Sequence, residues 1–281
     1  MFTASHNPAG YNGIKFCRSG ARPLGLETGL DRVRDDARND LAPSDTPGTI
    51  TTADVLDDFA DHVRSFIDTD ALAPLSVVAD TANGMGGLVV PAAFDGLKPN
   101  LDVLFGELDG TFPNHPADPL QSENQADLKA RVLELGADVG LAFDGDADRV
   151  FLVDETGSGL SGSTTTAIIA TALLREHPGA TIIHNLIVSK AVPEAIEEAG
   201  GVPVRTRVGH SYIKAEMAER NALFGGEHSA HYYFADNYRA DSGLIAALVV
   251  LAEMSRTGRP LSELRRPFDR YGASGEINTE V

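Results

Sequence analysis

Apolar positions recur along the chain in two alternating rhythms. Short runs such as Leu75-Ser-Val-Val-Ala79, Val139-Gly-Leu-Ala-Phe143 and Val150-Phe-Leu-Val153 have the length and content of buried strands. Between such runs apolar residues return at helical spacing, as Val55, Phe59, Val63, Phe66 and Ile67 do. The pattern predicts strands at 75–79, 101–105, 137–143, 150–153, 181–184, 202–205 and 222–224. It predicts helices at 52–70, from the small-residue turn 80–87 through Phe94, at 122–135, 165–175, 190–199, 211–220 and 242–255. Ser122 and Gln125 have the spacing of a capping box, and Pro113, Pro116 and Pro119 keep 112–119 irregular.

This alternation predicts an α/β fold: tandem α/β domains with mixed, largely parallel sheets flanked by helices. Two such units divide near 157–162, giving domains at 51–158 and 159–270. Residues 1–50 are too few and too poor in apolar positions for a domain of their own. They contain expected strands at 1–4 and 11–16, a helix at 27–34 and a Pro- and Gly-bearing linker at 43–48. In open sheets of this kind ligands collect at loops leaving strand C-termini. Three loops qualify, at 5–8, 144–149 and 226–231.

Composition narrows the partners. A formal net charge of −18 argues against a general nucleic-acid or anionic-membrane surface, while leaving small anions open if a metal and basic side chains converge in a cleft. No charge-free apolar run reaches the ~18 residues of a membrane span, and Met1-Phe-Thr-Ala-Ser-His lacks the features of a secretory signal. Cys17 is the only cysteine, so no internal disulfide forms. A cytoplasmic location is therefore expected, and no protein partner is inferred.

The densest chemistry lies in Asp144-Gly-Asp-Ala-Asp-Arg149, where three carboxylates fall on alternate residues before a guanidinium. Carboxylates this close repel, and a hard divalent cation such as Mg2+ relieves them while keeping positions open for phosphate. A calcium EF-hand loop also begins D-x-D-x-D, but Arg149 stands where that loop needs glycine and both flanks read as strands. A solvated acidic turn is the remaining alternative, although such a turn has no need of Arg149.

Ser5 shares a loop with His6. The G-x-S-x-G of a serine esterase is absent, whereas a phosphate on Ser5 would complete the aspartate site with its own negative charge. In Gly226-Glu-His-Ser-Ala-His231, Glu227, Ser229 and His231 can face one ligand, and acceptor–donor pairs of this kind suit sugar hydroxyls. Zinc is disfavoured there, since the cysteine is distant and no H-E-x-x-H occurs. Gly209-His-Ser211 opens a helix, where it could bind an anion or simply cap. Lys15 is a single lysine on an expected strand.

Thr3-Ala-Ser-His-Asn-Pro8, Asp144-Gly-Asp-Ala-Asp-Arg149, Gly209-His-Ser211 and Gly226-Glu-His-Ser-Ala-His231 occur together in this order, and the whole chain resembles the α-D-phosphohexomutases. The resemblance implies an isomerase that interconverts hexose 6- and 1-phosphates of mannose or glucose through hexose 1,6-bisphosphate. It implies a phosphoserine at Ser5, with Mg2+ held by that phosphate, Asp144, Asp146 and Asp148. Lys15 and His210 become candidates for proton transfer, Arg149 for holding the phosphoserine region, and Glu227 and Ser229 for binding sugar hydroxyls beside His231. By the same resemblance 1–50 is the end of a first domain, and 271–281 leads towards a fourth.

Some positions depart from the family pattern. Ala147 and Ala230 replace glycines common in relatives, which matters if the backbone there has positive φ. Some relatives place a catalytic lysine where Ile187 falls, and Lys190 lies three positions later. With most of domain 1 and all of domain 4 expected to be missing, the polypeptide alone should have little mutase activity. Two alternatives are a non-catalytic fragment that binds metal and sugar phosphate, and an aspartyl-phosphate phosphatase with Asp144 as nucleophile.

Overall fold

The computed structural model describes residues 1–39, 41, 44–46 and 48–272. The N-terminal part holds a short hairpin, β1 (Cys17–Arg18) with β2 (Arg22–Pro23), and one helix, α1 (Leu30–Arg38). The strands expected at 1–4 and 11–16 are reduced to a single bridge between Phe2 and Ile14. Phe2 is 86% exposed and Ile14 51%, so no apolar layer rewards extending this pair. The expected helix at 27–34 forms later, as α1. The expected linkers at 43–48 and 271–281 lie partly outside the described residues.

A first four-stranded sheet follows α2 (Leu56–Arg64). Its strands are β3 (Ser76–Asp80), β4 (Asn100–Leu104), β5 (Val139–Phe143) and β6 (Val150–Asp154), in the order β4-β3-β5-β6. Strand β3 runs parallel to both β4 and β5, whereas β6 returns antiparallel along β5. Helices α3 (Gly86–Phe94) and α4 (Ala126–Leu135) make the crossovers. Every residue of β5 and β6 is buried, which is why these runs are continuously apolar rather than alternating. No capping box forms before α4. Residues Ser122–Gln125 make a 3-10 turn in which the buried Gln125 donates its amide to the Pro119 carbonyl (2.6 Å), while Ser122 accepts from Lys129.

The second unit contains α5 (Gly162–Glu176), β7 (Thr181–Asn185), α6 (Ala191–Glu198), β8 (Val202–Thr206) and α7 (His210–Arg220). It continues through β9 (Phe224–Gly226), β10 (Tyr232–Phe234), α8 (Gly243–Thr257) and α9 (Leu261–Arg265). The sheet order is β10-β9-β7-β8, with β7 parallel to β8 and β9, and β10 antiparallel at the edge. Strand β10 and helix α9 are not predicted from the pattern.

Helices α5 and α8 are buried on nearly every face. Each starts at a serine cap: Ser161 accepts from the Thr164 amide and Ser242 from the Ile245 amide. Apolar side chains of both sheets and both helices, from Val77 and Leu141 to Ile169, Leu248 and Phe224, form one contiguous cluster. The two units are thus packed around a shared apolar layer. Among the described residues no helix is long and apolar enough to cross a membrane.

Candidate active site

The turn between β5 and β6 carries the acidic triplet, so its position follows from the pairing of two fully buried strands. Asp144, 0% exposed, accepts from the Arg149 guanidinium (Nε–Oδ2 2.8 Å) and from the Arg149 amide (3.1 Å). One carboxyl oxygen each from Asp144, Asp146 and Asp148 lies within 4.8 Å of the others. Oδ1 of Asp146 and Oδ1 of Asp148 are buried without a hydrogen-bond partner. The Lys15 ammonium meets Asp146 at 2.9 Å and Asp148 at 2.6 Å. These contacts fit a divalent cation: the orphaned oxygens point at no donor, and a lysine already serves as a partial counter-charge.

The N-terminal loop closes over this turn. Ser5 Oγ lies 3.3 Å from Asp144 Oδ2 and 3.0 Å from His6 Nδ1. Thr3 fixes the loop, donating its hydroxyl to Asp146 (2.8 Å) while accepting from the Ser5 amide (2.8 Å). A Cβ on Gly145 would sit 2.3 Å from the Ser5 carbonyl oxygen, so only glycine admits this approach. Ser5 itself has φ 53°.

The third loop joins β9 to β10, and a bridge between His231 and Arg149 ties it to the metal turn. Nε2 of His231 lies 3.7 Å from Asp148, and its Nδ1 is 3.0 Å from Ser229 Oγ. Glu227, 1% exposed, accepts from Tyr233 Oη (2.8 Å) and Asn185 Nδ2 (3.0 Å). His210, the first residue of α7, pairs with Asp241 at 3.2 Å. All ten residues singled out in the sequence therefore converge: Ser5, Lys15, Asp144, Asp146, Asp148 and Arg149 in one cluster, with His231 linking it to His210, and Glu227 and Ser229 completing the second half. Lys190 is exposed at the start of α6, as the residue preceding its first turn.

The electrostatics follow from burial. Burial first, then the charges of Asp148 and Asp146, push the Asp144 carboxyl up to about 7, with Arg149 opposing. Burial and the neighbouring Asp241 and Asp146 also raise Asp148, outweighing Lys15. Burial disfavours the Lys15 ammonium, but Asp148 and Asp146 overcome it and raise the lysine. Burial and His210 push His231 down to about 2, leaving it neutral. His210 is also desolvated, but Asp241 dominates and raises it.

Three consecutive profiles described as Phosphoglucomutase/phosphomannomutase alpha/beta/alpha domains I, II and III match residues 1–40, 57–158 and 161–271. The chain belongs to the α-D-phosphohexomutase family. A phosphomannomutase of Salmonella montevideo is 41% identical over 288 residues, covering 99% of this chain and 63% of that protein. The crystal structure of a phosphoglucomutase/phosphomannomutase family protein from Burkholderia thailandensis superposes with TM-score 0.84 at 33% identity, over 94% of this chain and 57% of that one. An Aspergillus fumigatus N-acetylphosphoglucosamine mutase, solved with GlcNAc-6P and magnesium, shares the fold (TM-score 0.69, 16% identity, 95% of this chain and 72% of that one). The chain spans 63% of the length of the curated relatives it matches first.

Sequence reasoning missed four residues that contact this cluster: Thr3, Asn185, Tyr233 and Asp241. Thr3 stands two residues before Ser5 and could have been found there. Asp241 reaches the site because it bridges Tyr233 on the return from β10, which was itself unpredicted. The family-pattern alanines both have positive φ, 60° at Ala147 and 65° at Ala230. Glycine there relieves about 1–2 kcal/mol of left-handed strain. It loses a buried methyl worth about 0.8 kcal/mol and adds about 0.4–1 kcal/mol of unfolded-state entropy. Ala147→Gly and Ala230→Gly are accordingly expected to shift urea-unfolding stability by less than about 1 kcal/mol each. A loss above about 2 kcal/mol would overturn this balance.

Proposed function

We propose that the chain carries the phosphoryl-transfer site of a mutase that interconverts hexose 6-phosphate and hexose 1-phosphate, of mannose or glucose. The observation that carries this reading is the placement of Ser5 Oγ 3.3 Å from the first carboxylate of the acidic triplet, in a chain of this family. Magnesium would be held by Asp144, Asp146, Asp148 and a phosphate on Ser5, and when bound it neutralises charge on the transferring oxygens.

The residues divide the work. In the first half-reaction the bond between Ser5 Oγ and phosphorus breaks while a sugar hydroxyl forms the new one, giving hexose 1,6-bisphosphate. The proton of that hydroxyl goes to His210, oriented by Asp241, and the departing Ser5 oxygen takes up a proton from Lys15, the second proton-transfer group. The second half-reaction returns the other phosphate to Ser5. Glu227 and Ser229 hold sugar hydroxyls beside His231. Glu227 already accepts from Tyr233 and Asn185, so it offers the ligand its remaining lone pairs. Arg149 fixes Asp144 beneath the Ser5 loop. With both Asp144 oxygens engaged, a phosphoserine is favoured over an aspartyl phosphate.

The test reads phosphate incorporation rather than turnover. Purified chain is incubated with Mg2+ and glucose 1,6-bisphosphate or mannose 1,6-bisphosphate, then analysed by intact mass and peptide mapping. A gain of ~80 Da on the Ser5 peptide is expected. Label on Asp144, or none, defeats the proposal.

Two further outcomes follow. Because Asp144 is raised to about 7 in the metal-free protein, Mg2+ must displace a proton below that pH. Affinity measured by calorimetry should fall about tenfold from pH 8 to pH 6 and level off above about pH 8. The same group acts oppositely on metal-free stability: its contribution is full below the ordinary carboxyl range and is lost as pH rises through about 7. A pH-independent Mg2+ affinity would contradict both. Lys15 holds the same carboxylates through a half-exposed ammonium, so Lys15→Met should tighten Mg2+ binding by about tenfold. A weakened affinity would show that Lys15 supports the metal instead of competing with it.

A further inference from the structure

We propose a second metal site, selective for transition ions such as Zn2+ or Co2+, made by His210, His231 and Asp241. The three ligand atoms come from the start of α7, the loop before β10 and the segment after it, and lie within 4.8 Å of one another. Asp241 Oδ2 is 3.2 Å from His210 Nδ1 and 4.0 Å from His231 Nε2. It is buried, on a side chain only 8% exposed, and its 3.2 Å approach to His210 is an ion pair without hydrogen-bond geometry. The other Asp241 oxygen faces Lys214 at 3.4 Å, which leaves Oδ2 for the imidazoles.

The surroundings favour a ligand role. When His231 Nδ1 donates to Ser229 Oγ, Nε2 presents a lone pair towards Asp241 and towards Asp148 Oδ1, which also lacks a partner. A lone pair facing two carboxylates with no proton between them is an arrangement that a cation resolves. Tetrahedral bonds of about 2.0–2.1 Å put ligand atoms about 3.4 Å apart, so the three must close by at most ~1.4 Å. Two imidazoles and one carboxylate suit zinc or cobalt, whereas magnesium prefers oxygen alone. No zinc signature is visible in the sequence because the three residues lie at 210, 231 and 241 on separate elements.

Occupancy would take His210 away from proton transfer. That consequence rests on the proposed mutase reaction; the metal affinity stands whether or not Ser5 is phosphorylated. The test titrates Co2+ into the chain under excess Mg2+ and follows the visible d–d absorption. Wild type and Asp146→Asn should both develop the band, while Asp241→Asn and His210→Gln should bind at least about 100-fold more weakly. A band absent from wild type, kept in Asp241→Asn and His210→Gln, or lost in Asp146→Asn would refute the site. Should the variants misfold, imidazole nitrogen NMR on wild type decides: saturating Zn2+ must shift His210 and His231, and unshifted resonances rule the site out.

Discussion

Ser5→Ala is expected to stop phosphate incorporation from hexose 1,6-bisphosphate, lowering its rate by on the order of 10⁴-fold or more. The size of the effect comes from removing the only atom that can carry the group, since alanine leaves no oxygen at that position. Little else should change. Among the described residues Ser5 Oγ hydrogen-bonds with His6 and Asp144, and alanine and serine pay similar strain at φ 53°, so stability should stay within about 0.5 kcal/mol. Mg2+ affinity of the unphosphorylated protein should also hold, because the three carboxylates are untouched. Intact mass after incubation with the bisphosphate separates the outcomes. A Ser5→Ala chain that still gains ~80 Da would move the nucleophile elsewhere, with Asp144 the first place to look.

Much of this site was legible before any coordinates because its chemistry sits in local motifs. Asp144, Asp146 and Asp148 lie on alternate residues of one turn, and both flanking strands are continuous apolar runs that are buried throughout. The large α/β alternation was readable for the same reason: buried strands and helices carry period and length in the chain itself. Legibility failed where structure depends on contacts distant in sequence. Residues 1–4 and 11–16 have strand-like composition yet pair at one bridge only, because nothing among the described residues covers Phe2 or Ile14. The Ser122–Gln125 cap was lost to the Pro119 carbonyl, a partner no helix-start rule includes. Tyr233 and Asn185, which hold Glu227, and Asp241, which holds His210, come from elements that meet only when the second sheet closes. Spacing cannot announce such partners.

Asp144→Asn and Asp146→Asn should be alike in metal binding and unlike in stability, and this contrast tests what the buried carboxylate does. Each removes one of three charged ligands, so each should weaken Mg2+ by roughly 100-fold or more. Without metal their surroundings differ. Asp144 is the close counter-ion of Arg149, which is itself 3% exposed and whose next carboxylate, Asp118, is 3.8 Å away. Breaking a buried pair from one side leaves a charge uncompensated and costs about 3–5 kcal/mol. At about pH 8 the Asp144 carboxyl, raised to about 7, is ionised, so Asp144→Asn should lose on the order of 3 kcal/mol there. At about pH 6 the wild-type carboxyl is mostly protonated and its raised value makes wild type more stable than at pH 8, while asparagine has no such pH dependence, so the difference should be larger still. Asp146 has no such buried partner: Thr3 can still donate to an asparagine oxygen, and Lys15 keeps Asp148. Its replacement also relieves repulsion on its neighbours, so metal-free Asp146→Asn should match or exceed wild-type stability. Urea unfolding with and without Mg2+ at the two pH values reads all four quantities. Equal losses in the two variants would mean that Arg149 does not depend on Asp144, and the acidic turn would then be held together in some other way.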